Sequence, residues 1–216
     1  MKNRLLTLLV CLCLLLAAVP EVSAEETLAQ DITDQTQISV TGFEDSGFLT
    51  DKNIKNHKTA KNVSITLENT DGIYSLYLIF DLEYGAYEIT NQDGDTVTAG
   101  EKGFLHEYID LLTLFETAPT SLTLRFPEKV RLSEVYAFSQ GDAPQFVQRW
   151  DKPLDKGADI LLFSTHGDDD QLFFAGLLPY YAGERDARVQ VVYMTDHRNL
   201  TNSRTHEMLN GLWAVA

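Results

Sequence analysis

The sequence predicts a mixed fold, an antiparallel β-sandwich followed by the opening portion of a parallel α/β domain. Three observations predict it. Eight short β-favouring runs separated by turn residues lie between Ile38 and Phe138. After residue 157 the rhythm changes to strand, helix, strand, helix. Between the two parts, residues 141–156 hold Pro144 and Pro153 and no periodic pattern, which marks a linker packed by Phe146 and Trp150.

The chain has 216 residues, 44% hydrophobic and 23% charged. That composition suits a packed core rather than a disordered chain. Its 17 Lys and Arg against 32 Asp and Glu give a formal charge of −15, which would repel a polyanion. Nucleic acid is therefore not an expected partner.

Residues 1–24 read as a secretory signal peptide: Lys2 and Arg4 lead, an apolar run follows from Leu5 to Val19, and Val22-Ser23-Ala24 closes with a cleavage pattern. The apolar run is shorter than the roughly 20 residues of a spanning helix, so an uncleaved anchor is the weaker alternative. The expectation is export, secreted or at the cell surface, with no transmembrane segment in the mature chain. Both cysteines, Cys11 and Cys13, leave with the signal. A lipoprotein reading of either is disfavoured by the bulky residues before it. The exported chain then has no disulfide, and a metal site has to use imidazole and carboxylate.

Residues 25–37 are polar and aperiodic and read as an exposed leader. The sandwich follows over 38–140. Its expected strands are Ile38–Gly42, Asn62–Glu68, Ile73–Leu82, Ala86–Asn91, Asp95–Ala99, Phe104–Leu111, Ser121–Phe126 and Ser133–Phe138. Apolar residues alternate in Tyr74–Phe80 and Ser121–Phe126, as a sheet with one buried face requires. Asp93-Gly94 signals a hairpin turn. The stretch Asn91–Asp95 also invites a calcium reading, but no Glu falls at the closing position of an EF-hand loop. The closing run Val130–Phe138 and the strand spacing of 38–140 resemble galactose-binding or discoidin-like jelly rolls. That resemblance implies a possible carbohydrate-binding role and assigns no ligand residue. Tyr84, Tyr87 and Tyr108 are candidates for stacking on sugar rings if exposed, although core or cross-strand packing is the commoner role of a tyrosine in such a sheet.

In the second part, Ile160–Phe163 is a continuous apolar run suited to a strand buried on both faces. Gln171–Ala182 has helical spacing interrupted by Pro179, Val189–Thr195 is a second strand, and Arg204–Ala216 a second helix. The first strand runs into Ser164-Thr165-His166-Gly167-Asp168-Asp169-Asp170. Ligands of open parallel sheets bind beyond the carboxyl ends of the strands, where this turn lies. Three consecutive carboxylates would repel phosphate and attract a cation. His166 and a carboxylate three residues on can converge on one ion, and zinc suits such donors. A neighbouring carboxylate left off the metal stands where a general base is needed. The competing reading is that the aspartates cap the following helix and His166 is merely a polar residue at a strand end.

His166-Gly167-Asp168-Asp169, between an apolar strand and an apolar helix, resembles the signature of PIG-L-type (LmbE-like) N-acetylglucosaminyl deacetylases. Val189–Thr195 and Arg204-Thr205-His206-Glu207 are similar to later parts of that family's pattern. The resemblance implies a Rossmann-like α/β fold, a zinc-dependent deacetylase and an N-acetylated sugar or glycan as substrate. It implies that His166 and Asp169 ligate zinc, that Asp168 is the catalytic base and that Arg204 reaches sugar hydroxyls, with a salt bridge to Glu207 as the alternative for Arg204. Gly167 stands where the family carries proline and Asp170 where it carries glutamate. The family's third zinc ligand is a distant histidine, expected beyond Ala216, so residues 157–216 are expected to be an incomplete catalytic domain. His197 follows the second strand and is the further candidate for a ligand or substrate contact, with a solvated loop histidine as the competing reading. His57 and His106 have no evident tie to the site, and His206 is expected to be exposed. The reading from another class is an exported, non-enzymatic carbohydrate-binding or adhesion module.

Overall fold

The structure, a computed structural model, describes residues 27–150, 157–195 and 202–215. The expected signal peptide, part of the linker and His197 lie outside the described residues.

Two antiparallel sheets form a β-sandwich. One has five strands in the order β1 (Gln37–Thr41), β3 (Val63–Glu68), β8 (Ser121–Phe126), β5 (Tyr87–Asn91), β6 (Thr96–Ala99). The other has four, β2 (Lys58–Ala60), β9 (Val130–Phe138), β4 (Ser75–Phe80), β7 (His106–Asp110). Val63, Ile65 and Leu67 of β3 oppose Phe126, Leu124 and Leu122 of β8, and all six are buried. They face Leu76, Leu78 and Phe80 of β4 and Val135 and Ala137 of β9 in one core. A register shift between Ile79 and Phe80 leaves Ser133 as the extra residue of a β-bulge in β9. The Asp93-Gly94 turn forms as expected. Gly94 takes φ +88°, and the Asn91 side chain accepts from the backbone N–H groups of Asp93 and Asp95.

Several expectations are corrected. β4 is buried along its whole length, not on one face. Its second face, with Tyr77 and Ile79, packs with Ala29, Phe138 and Val147. The cover includes the segment expected as an exposed leader: Ala29 and Ile32 are buried, and their N–H groups bond Asp142 and Ala137 carbonyls. Gly141, at φ +138°, allows this approach, since a side chain there would strike the Thr27 carbonyl. Of the tyrosines weighed for sugar stacking, Tyr84 and Tyr87 take the core-packing role instead, among Phe80 and Phe126. A short strand, β2, was absent from the expectation, as was the five-residue helix α1 (Leu111–Phe115), capped by the Asp110 carboxylate.

Beyond the linker, β10 (Ile160–Ser164) and β11 (Val189–Tyr193) form a small two-stranded parallel sheet. Helix α2 covers only Asp169–Phe173. The chain then breaks and resumes as one wide turn at Pro179–Glu184, a shorter run than the Gln171–Ala182 helix expected. Gly176 and Pro179 account for the break, one by backbone freedom and the other by its missing N–H. β10 is not buried on both faces: Leu162 and Ser164 are buried, whereas Leu161 and Phe163 are exposed. Helix α3 (Ser203–Val215) lies on the sandwich. Trp213 donates to the Gln145 carbonyl and Leu209 packs on the core. Among the described residues no helix is long and apolar enough to cross a membrane.

Candidate functional site

The turn between β10 and α2 brings His166, Asp168 and Asp169 together at the carboxyl end of the parallel pair. Continued pairing beyond the strands, Met194 N–H to Ser164 O and Thr195 N–H to Thr165 O, fixes where the turn leaves the sheet. The Ser164 hydroxyl donates to the His166 carbonyl at 2.8 Å. Asp169 reaches back over the turn: its Oδ2 accepts the His166 N–H at 2.9 Å and stands 3.3 Å from His166 Nδ1. The bond ties the turn to itself and leaves the first helical N–H groups without a side-chain cap, so it is not the helix cap weighed as the alternative for the acidic cluster. Asp168, at the N-cap position, makes no side-chain cap.

The same geometry suits a metal. Two donors bound to one tetrahedral zinc at about 2.0–2.1 Å stand roughly 3.3–3.4 Å apart. His166 Nδ1 and Asp169 Oδ2 already have that separation. His166 is exposed and Asp169 half-buried, so an ion could reach them. The residues present supply two donors. Among the described residues no group of three or more His, Cys, Asp or Glu side chains is arranged to hold a metal ion.

Asp170 points away from solvent and is fully buried, with neither carboxylate oxygen hydrogen-bonded among the described residues. Burial, and then the charge of Asp170, push the Tyr193 hydroxyl above its ordinary pKa. The helix behind the turn has five residues, so its dipole adds little to anchoring charge there.

Arg204 enters from α3. Its guanidinium pairs with Asp168 at 3.2 Å and with Glu207 at 3.1 Å. The structure thus joins the residue expected to touch sugar to the residue expected to act as base, and also forms the Glu207 bridge weighed against that role. Gly167 has a local reason to lack a side chain. A Cβ there would stand 2.5 Å from Met208 Sδ and 3.3 Å from Arg204 Nε.

Three of the described histidines lie outside this turn, and one of them, His206, differs from the expected exposure. His206 is buried, 2.9 Å from His106 across the joint between α3 and the sandwich. His57 lies 3.6 Å from buried Asp81, which also binds Arg131. No sequence signal pairs residues 100 positions apart, so this cluster was missed.

A second concavity, of about 390 Å³, opens at the β6–β7 edge of the sandwich. Phe104, Tyr108, Trp150, Glu107 and Arg149 line it. Tyr108, one of the candidate stacking residues, is half-buried there.

No known family's sequence pattern matches the chain, and no curated protein matches it. Solved structures similar to it include CpGH89CBM32-6 produced by Clostridium perfringens, at 15% identity and a TM-score of 0.39 over 51% of this chain and 100% of that one. A GH29 fucosidase of Ruminococcus gnavus in complex with fucose is similar at 9% identity and a TM-score of 0.38, over 52% of this chain and 27% of that one. A carbohydrate esterase is similar at 15% identity and a TM-score of 0.27, over 72% and 48%. All three are distant likenesses, and the chemistry of this chain rests on its own residues.

Proposed function

We propose that the chain supplies two zinc ligands and the catalytic base of an exported, zinc-dependent N-deacetylase of the PIG-L type, one that acts on the acetamide of N-acetylglucosamine-type sugars or glycans. The observation that carries the reading is the His166–Asp169 pair, whose 3.3 Å separation is that of two ligands on one ion at a strand-to-helix turn. Zinc, when bound, would polarise the amide carbonyl and bring the pKa of its water toward about 7.

The chain's own residues divide the remaining work. His166 and Asp169 hold the ion. Asp168 takes the proton of the attacking water and returns it to the departing amine, which yields acetate and a free amino sugar. Arg204, already paired with Asp168, orients that carboxylate and presents its remaining N–H groups to sugar hydroxyls. His197 is the further candidate contact. In this reading the opening of a Rossmann-like domain follows the sandwich, and the substrate lies outside the cytoplasm.

The test is zinc titration of the full chain by calorimetry, with acetate release from N-acetylated chito-oligosaccharides followed in parallel. His166→Ala and Asp169→Ala are each expected to lower zinc affinity at least tenfold. Unchanged affinity in both variants overturns the reading.

A second reading is favoured by the cleft of Phe104, Tyr108 and Trp150, in which aromatic faces sit beside Glu107 and Arg149. In it the sandwich binds carbohydrate and no acetyl group is removed. Glycan binding that is abolished by Trp150→Ala, with zinc affinity unchanged by His166→Ala and Asp169→Ala, would favour it over the first.

A further inference from the structure

His106 on β7 and His206 on α3 are both 2% exposed, and their rings meet with Nε2 of the first 2.9 Å from Nδ1 of the second. The Tyr77 hydroxyl stands 2.6 Å from His106 Nδ1 and also accepts the Gln148 N–H. In the neutral arrangement of the network its own proton goes to His106 Nδ1. The network then assigns the ring protons: His106 Nε2–H donates to His206 Nδ1, and the N–H of His206 falls on Nε2. His206 Nε2 has no partner among the described residues, and its ring lines a cavity of about 390 Å³. In that arrangement both rings are neutral. Both lie buried at the joint between α3 and the sandwich, so an added proton on either places a charge away from water and beside a second imidazole.

We propose that the Tyr77–His106–His206 chain is an acid-sensitive latch. At neutral pH it seats helix α3 on the sandwich, and on acidification it releases the helix together with its grip on the Asp168 turn. The second grip is real in the structure, since Arg204 binds Asp168 and Met208 lies against Gly167. The proposal does not depend on the deacetylase reading.

The charged surroundings of both rings are defined. His206 faces His57 and Asp81 from the sandwich, with Lys55 and Glu207 lining the same cavity. Arg131 of β9 neutralises Asp81. On its other side His106 opens toward Lys102, Glu107 and Arg149. Burial, and then His206, push His106 down to about 3. Burial pushes His206 down to about 4, opposed by Asp81 and reinforced by His57. Both seated values lie below the ordinary 6.5, so protons favour the released helix. The latch is fully present above about pH 6.5 and weakens as the pH falls toward 4.

The two tryptophans of the chain report the seating directly. Trp213 of α3 lies 5.6 Å from Trp150 and donates to Gln145. Tryptophan emission of the full chain is recorded from pH 8 to pH 4, beside the His106→Gln/His206→Gln double variant and with imidazole NMR of the wild type. The expected result is a red shift in the wild type between pH 6 and 4, absent from a double variant that seats at neutral pH. Should the double variant not seat at all, the NMR titration decides. The latch then requires the His106 and His206 resonances to move together with the emission below pH 6. The proposal is overturned by wild-type emission unchanged to pH 4, by the same transition in a seated double variant, or by histidines that titrate near 6.5 without a change in emission.

Discussion

The guanidinium of Arg204 stands 3.2 Å from the Asp168 carboxylate, and this ion pair ties helix α3 to the turn that follows β10. The same helix is seated on the sandwich through His206, Asn210 and Trp213. One helix therefore connects the candidate chemistry to the β-rich part, and the position of Asp168 depends on how that helix sits.

Because Arg204 is about 38% exposed and Asp168 about 52%, their ion pair is screened by water. Arg204→Gln is expected to change unfolding stability by no more than about 1 kcal/mol. Zinc affinity should stay within about threefold, since the arginine pairs with Asp168 and Glu207 and with neither His166 nor Asp169 among the described residues. Urea denaturation and calorimetry check both. A loss beyond about 2 kcal/mol would mean that the pair holds the fold rather than the site.

Gly167 and Met208 are predicted to be energetically coupled. A methyl group at residue 167 would overlap the Met208 thioether, so Gly167→Ala should destabilise the second part by about 1–3 kcal/mol. Met208→Ala opens the space, and in that background the glycine substitution should cost little. A double-mutant cycle in urea measures the coupling, and additive effects would contradict the contact.

The sandwich was legible because alternation and turn chemistry act locally. Ser121-Leu122-Thr123-Leu124-Arg125-Phe126 states its own inward face, and Asp93-Gly94 its own turn. Lys58-Thr59-Ala60 was not legible, since its pairing with Val130–Leu132 is set by β9 and not by any pattern of its own. The leader misled for a related reason: its polar residues conceal Ala29 and Ile32, and their burial depends on Gly141 more than 100 residues later. At the candidate site, spacing alone indicated that His166 and Asp169 meet. It could not indicate that Arg204 grips Asp168 or that His206 is buried, because both follow from where α3 docks.

Glu134 makes the sandwich sensitive to pH in the direction opposite to the histidine latch. It is buried on β9, accepts the Asn53 N–H at 2.6 Å, and is pushed up to about 7 by burial and then by Asp51. Its seated value lies above the ordinary 4.5, so its contribution is fully present below about pH 4.5 and lost as pH rises through 7. Glu134→Gln keeps an oxygen for Asn53 and removes the buried charge. It is expected to stabilise the protein at pH 8 by up to about 3 kcal/mol and to change little at pH 4.5. Urea midpoints at the two pH values check the sign, and equal effects at both would contradict it.

The last prediction contrasts two phenylalanines. Phe126 is fully buried against Phe80, Tyr84 and Tyr87, so Phe126→Ala should cost about 3–5 kcal/mol. Phe163 is 58% exposed on the outer face of β10, beside Leu161 at 50%. Neither residue belongs to a hydrophobic cluster among the described residues, so the double variant Leu161→Ser/Phe163→Ser should change stability by only about 0.5 kcal/mol. Urea denaturation at several protein concentrations distinguishes the outcomes. A cost above about 2 kcal/mol that grows with concentration would mean that this face is covered by another copy in solution. A cost that does not vary with concentration would mean that the chain itself covers it.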